Sequence, residues 1–159
     1  MIRRWQESDA EESFALYVDA VRNGGDRHYN AAQRMAWVPS ATMEPWWRPR
    51  LAEANAWVAS DHAGLTGLIA LRGDGYLDLF FVSPRARGDG TADALYDTLL
   101  AEAAAQGMAS LTTHASDYLK PFLVKRGWRV VAEEQAERSG VTLRRWDMTL
   151  DQLAGSQLS

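Results

Sequence analysis

Residues 76–100 read YLDLFFVSPRARGDGTADALYDTLL, and their order decides the fold. Tyr76–Val82 is an aromatic and aliphatic run of strand length, stopped by Pro84, two arginines and two glycines. Beyond the glycines, Ala92, Leu95, Leu99 and Ala103 recur at helical spacing, and Gly107 ends the pattern. The stretch is a strand, a glycine turn and a helix. Such a turn gathers free backbone N–H groups and the positive end of the helix dipole around one point, which favours an anion. The next run, MASLTTHA (108–115), reads as a strand. Strand, helix and strand then form a right-handed crossover with two parallel strands.

Upstream, NAWVAS (55–60), LTGLIALR (65–72) and YLDLFFV (76–82) are separated by the tight turns DHAG and GDG, which predicts an antiparallel meander. IRRWQ (2–6) predicts a short first strand. SDAEESFALYVDAVRNGG (8–25) predicts a helix with Ser8 as N-cap, Glu11 as its capping-box partner and Asn23-Gly24-Gly25 as the stop. Residues 30–54 predict two short helices broken at Val38-Pro39. Downstream, DYLKPFLVKR (117–126) predicts a short helix, and residues 127–150 a hairpin turned at Ser139-Gly140. The fold class is α+β: one domain over residues 1–150, a mixed and mostly antiparallel sheet flanked by helices, followed by a C-terminal tail, 151–159.

Composition narrows the function. A chain of 159 residues with 47% hydrophobic content is one domain's worth of sequence with material for a proper core. The net charge of −4 offers no basic field to a nucleic acid. No apolar run approaches the roughly 18 residues of a membrane span, and the start MIRRWQESDAEES turns acidic where a signal peptide turns apolar. A cytoplasmic location is expected, with no nucleic acid and no membrane as partner. The absence of cysteine excludes disulfides, thiolate metal ligands and a covalent enzyme thiol. The three histidines show no ligand spacing, so no metal is expected, and His28 and His114 read as structural residues.

The glycine turn resembles the acetyl-CoA signature of the GCN5-related N-acetyltransferase (GNAT) family: Val-x-Pro, then Arg or Gln, two residues, Gly, one residue, and Gly or Ala. Val82, Pro84, Arg87, Gly90 and Ala92 occupy those positions. The resemblance extends over nearly the whole chain, through SLTTHAS, DYLKPFLVKR, Gly127-Trp128 and VTLRRWDMTL. It implies acetyl-CoA as co-substrate and transfer of its acetyl group to a primary amine of a small molecule or peptide, by direct attack in a ternary complex. The backbone N–H groups of Arg87, Gly88, Asp89, Gly90, Thr91 and Ala92 would then bind the pyrophosphate. N–H groups at Phe81 and Val82 would hold the pantetheine arm and polarise the carbonyl, and Asp78 would deprotonate the amine.

Four positions depart from the family's pattern. Asp89 brings a carboxylate to the turn, Thr91 replaces the aliphatic residue usual between the last two small positions, Ser116 stands where an Asn commonly touches the arm, and Leu123 stands where a Tyr commonly protonates the leaving thiolate. Tyr118, five residues earlier, faces elsewhere unless the last helix starts after it. The missing Tyr motivates an alternative, a non-catalytic acyl-CoA-binding or sensing module of the same fold. Tyr29, Trp37, Trp46 and Trp47 are expected to form an aromatic wall for an apolar or cationic amine. The acidic balance leans the same way, towards cationic acceptors. The family's final strands often meet across a dimer, so a homodimer is among the expectations.

Overall fold

The computed structural model describes residues 1–24 and 28–151. The elements run β1 (Ile2–Arg4), α1 (Ala10–Gly24), α2 (Ala31–Trp37), α3 (Trp47–Glu53), β2 (Asn55–Asp61), β3 (Gly64–Leu71), β4 (Tyr76–Val82), α4 (Thr91–Ala105), β5 (Leu111–Ala115), α5 (Lys120–Val124), β6 (Arg129–Arg138) and β7 (Val141–Leu150). The seven strands form one sheet in the order β1-β2-β3-β4-β5-β7-β6. Only β4 and β5 pair in parallel; every other neighbour is antiparallel. This is the meander, crossover and hairpin order expected from the sequence. Tail residues 152–159 and the Gly25 helix stop lie outside the described residues. No helix among the described residues is long and apolar enough to cross a membrane.

The two faces of the sheet carry separate cores. On one, Leu95, Leu99 and Ala103 of α4 and Leu123 of α5 pack against Ile69, Leu77 and Met148. On the other, Phe14, Tyr17 and Val21 of α1, with Trp47 and Leu51 of α3, pack against Val58, Leu68 and Leu79. Each long helix presents a buried stripe at three- and four-residue spacing, so burial of that stripe holds it to the sheet.

The start of α1 differs from expectation. A 3-10 turn at Glu7–Asp9 precedes the helix, and Asp9, not Ser8, organises it. The Asp9 carboxylate accepts the Gln6 N–H at 2.8 Å and both arms of the Arg3 guanidinium at 2.7 and 2.8 Å. A charged acceptor with its own cation outcompetes the Ser8 hydroxyl for that position. The hairpin turn follows expectation: Ser139 and Gly140 have φ of 50° and 76°, the left-handed pair of a type I′ turn that matches strand twist.

Candidate active site

The site begins where β4 and β5 separate. They pair only through Tyr76↔Thr112 and Leu77↔Thr113, with the Thr113 hydroxyl donating to the Leu77 carbonyl at 2.7 Å. β5 stays with β7 along its whole length, while β4 follows β3. Ala70 faces Leu79 and Leu71 faces Leu77, so Asp78 is the extra residue of a bulge. A bulge bends its strand and reverses which face later residues take. Accordingly Leu77 packs in the α4 core and Leu79 in the α1 core. The bend leaves the second half of β4 without a neighbour on its β5 side and opens a cleft lined by β4, β5, α1 and the β6–β7 hairpin.

The backbone of β4 offers a donor to that cleft. Ser83 N–H donates across to the Thr66 carbonyl of β3 at 2.8 Å. Strand alternation therefore turns Phe81 N–H to β3 as well and leaves Val82 N–H facing the gap. Of the two N–H groups expected there, Val82 supplies one. Phe81 supplies its ring, which meets Tyr17 at 4.9 Å and Trp37 at 6.2 Å between centroids.

The glycine turn fits an anion in most of its parts. Gly88 and Gly90 have φ of 84° and 90°, and a Cβ at either would project into space with nothing within 4 Å. That space admits a ligand against bare backbone. Ala92, in the first helical turn, has no intrahelical acceptor for its N–H. Thr91 is a correction: its N–H and hydroxyl both donate to the Asp89 carboxylate, at 3.0 and 2.6 Å. These bonds hold the Asp89 carboxyl below the usual carboxylate range. Arg85 is turned away onto Asp61. Arg87 lines the cleft, donates to the Gly24 carbonyl at 2.7 Å and lies 4.3 Å from the Tyr118 ring. Its Nε is buried with no hydrogen-bond partner among the described residues, an unmet donor beside the turn.

Asp78 lines the cleft, but both its oxygens are engaged by Arg50, at 2.7 Å each, and its side chain is only 6% exposed. A carboxylate so engaged gives up a charge-assisted bond to take a proton. A second group stands beside it that the sequence reading missed. Tyr76 hydroxyl is 2.7 Å from His114 Nδ1, and His114 Nε2 is 3.6 Å from Glu134, which Arg145 holds at 3.0 Å. Burial, with the Asp78 charge adding to it, pushes the Tyr76 hydroxyl pKa up. His114, Glu134 and Asp147 also bring ligand-type atoms within 4.8 Å of one another. The Arg145 guanidinium already supplies the positive charge there. Nothing in the spacing of Tyr76 and His114 along the chain announces the pair. The β4–β5 register makes it, by setting the two strand starts side by side.

An acetyltransferase (GNAT) domain family matches residues 26–150. The uncharacterized N-acetyltransferase YafP of Escherichia coli is 32% identical over 139 residues, 87% of each chain. The chain belongs to the GNAT acetyltransferase family. A GCN5-related N-acetyltransferase from Rhodopseudomonas palustris superposes with a TM-score of 0.89 at 26% identity, over 95% of this chain and 94% of that one. The same fold, in yncA of Salmonella typhimurium, is solved with its cofactor acetyl-CoA; the TM-score is 0.65 at 20% identity, over 95% and 92% of the two chains.

Against the expectations, two residues change place. Leu123 is wholly buried in the α4 core and does not line the cleft. Tyr118 does line it, as the condition on the helix start allows: α5 starts only at Lys120 and leaves Tyr118 in the preceding turn. Leu123→Tyr is therefore expected to overpack that core, losing about 1–3 kcal/mol of stability with no gain in transfer rate, as chemical denaturation and a rate assay would show. Trp47 is the second. It is 0% exposed, stacks on Tyr17 at 5.1 Å and donates its indole N–H to Ser13 at 3.1 Å. Trp47 is core, not wall.

The remaining residues take the following places. Tyr29 and Trp37 line the cleft, edge to face at 5.4 Å, and Tyr29 hydroxyl accepts the Asp117 N–H at 2.7 Å. Trp46 lines an adjoining outer cavity. Ser116 lines the cleft, with its hydroxyl accepting the Leu119 N–H at 3.0 Å.

Proposed function

We propose that this acetyltransferase binds acetyl-CoA across the glycine turn and β4 and passes the acetyl group directly to a primary amine in the cleft. The observation that carries the reading is one cleft with two ends. At one, leading to the glycine turn, stand Arg87 with its unmet Nε and the free side of β4; at the other stands the Tyr76–His114 pair.

Acetyl-CoA, when bound, supplies a thioester carbonyl activated towards amines. The chain's residues would do the rest. Gly88, Gly90 and Ala92 N–H groups, with Arg87, would hold the diphosphate, the more fully if Asp89 swings off Thr91. Val82 N–H would meet the carbonyl oxygen as charge develops on it. An amine of pKa about 10 arrives protonated at neutral pH and must lose a proton. Tyr76 hydroxyl would take it while passing its own proton to His114 Nδ1, leaving His114 Nε2–H directed at Glu134. Asp78 and Arg50 act as a positioning pair that fixes the bulge. With Leu123 in the core, the departing thiolate takes its proton from water, which a thiol pKa near 8.5 permits.

The test is an acceptor screen with acetyl-CoA that detects released thiol. Because the chain has no cysteine, every thiol that appears is coenzyme A. Release with at least one amine supports the reading. Acetyl-CoA binding without release from any amine would favour the non-catalytic acyl-CoA-binding module.

A further inference from the structure

The cleft is far more basic than the chain. The sequence carries 21 acidic against 17 basic residues, yet among the described residues the cleft is lined by Arg50, Arg87, Arg138, Arg144 and Arg145 with Asp78 as the one carboxylate. Four of these arginines are already engaged. Arg50 holds Asp78, Arg144 holds Asp117, Arg145 holds Glu134, and Arg87 caps the carbonyl end of α1. Arg138, the last residue of β6, makes no ion pair among the described residues. Its charge and that of Arg50 act on the Tyr17 hydroxyl, opposing the rise in pKa that burial imposes there.

Position separates Arg138 from the coenzyme end. Tyr17, Trp37, Arg50 and Arg138 line both the cleft and the outer cavity. That outer cavity includes no residue of the glycine turn, and is walled instead by Trp46, Pro39 and Phe14, with Glu44 as the one carboxylate among the described residues. An anion at Arg138 is therefore not the diphosphate. Arg138 is exposed at the mouth of an aromatic cleft with no carboxylate on it among the described residues, so its guanidinium is free to take one through two parallel hydrogen bonds. Glu44, in the same outer cavity, disfavours a second anionic group there.

We propose that the acceptor is an amino-carboxylate with an apolar body, its carboxylate held by Arg138, its body against Trp37 and Trp46, and its amine directed to the cleft. This deepens the acetyl-transfer reading and rests on it for the identity of the reacting group. It replaces the cationic acceptor that composition suggested, because the local charge, not the net charge, meets the ligand.

The experiment uses two matched pairs, phenylalanine with phenethylamine and 4-(aminomethyl)benzoic acid with benzylamine, which differ in the spacing of amine and carboxylate. In at least one pair the acid should exceed the amine in kcat/KM by about tenfold to a hundredfold, the range of a charge-assisted contact. Arg138→Gln should abolish that preference through KM, and Arg138→Lys should restore part of it. Arg129→Gln, at the far end of β6 on Asp151, should leave the preference intact. Calorimetry with the same compounds on CoA-saturated protein reads binding without turnover. Arg138-dependent binding of an acid with no transfer would uphold this inference and overturn the acetyl-transfer reading. Equal handling of acid and amine in both pairs, a preference that survives Arg138→Gln, or no binding of any acid would overturn the inference.

Discussion

Gly90→Glu is expected to abolish the thermal stabilisation that acetyl-CoA confers on this protein. At a hundredfold excess over Kd, a ligand that binds only the folded state adds about 2.7 kcal/mol. In a domain of this size that is a rise in Tm of roughly 5–10 °C. A glutamate at residue 90 would place a side chain in the empty space over the turn and a negative charge against the diphosphate. Any L-residue is also strained there, since φ is +90°, at a cost of about 1–2 kcal/mol. Gly90→Ala separates the effects, for it carries the same strain without the charge or the reach. Both variants should melt lower than the parent when unliganded. Only the alanine variant should still rise with acetyl-CoA. A full rise in the glutamate variant would remove the glycine turn from the binding site.

Tyr76→Phe is expected to lower kcat/KM by about 10²–10⁴-fold at neutral pH, the usual worth of a positioned acid or base. The substitution deletes one oxygen and keeps the ring that stacks beside Arg72, so acetyl-CoA binding should not change. His114→Gln should cost a similar factor, and the double variant little more than either single one, because residues acting as a unit are not additive. The deficit should shrink as pH approaches the acceptor's pKa, where the amine arrives neutral and the relay has less to do. A rate loss equal at every pH, or a loss of stability with no loss of rate, would mean that the Tyr76–His114 bond is structural. Asp78→Asn offers the contrast. If Asp78 only positions Arg50 and the bulge, its loss should not alter the shape of the pH profile.

Much of the architecture was legible in the residues because it rests on local signals. Strand runs separated by two- to four-residue turns, the stripe of Leu95, Leu99 and Ala103, and the Ser139-Gly140 turn each act within a few residues of themselves. The helix start at Asp9 was missed because its strongest determinant, the Arg3 guanidinium, comes from a different element. Trp47 was misassigned for a related reason. Next to Trp46 in sequence, it rotates by one helical position into the core, and an indole is equally suited to either place until packing decides.

By itself the sequence determined the order of elements, the glycine turn at the head of α4 and the family, since each rests on consecutive residues. Only the tertiary structure decided which side chains meet in the candidate site. The bulge at Asp78 exists because β3 and β4 disagree by one residue in register. Tyr76 meets His114 because β4 starts opposite Thr112, two residues before His114 on the same face of β5, and Arg138 comes near Tyr17 because the hairpin and α1 line the same cleft. The bulge is set across one hairpin, and the other two are contacts between residues dozens of positions apart. Hydrogen-bond register and side-chain packing set such contacts, and no local pattern of residues encodes either.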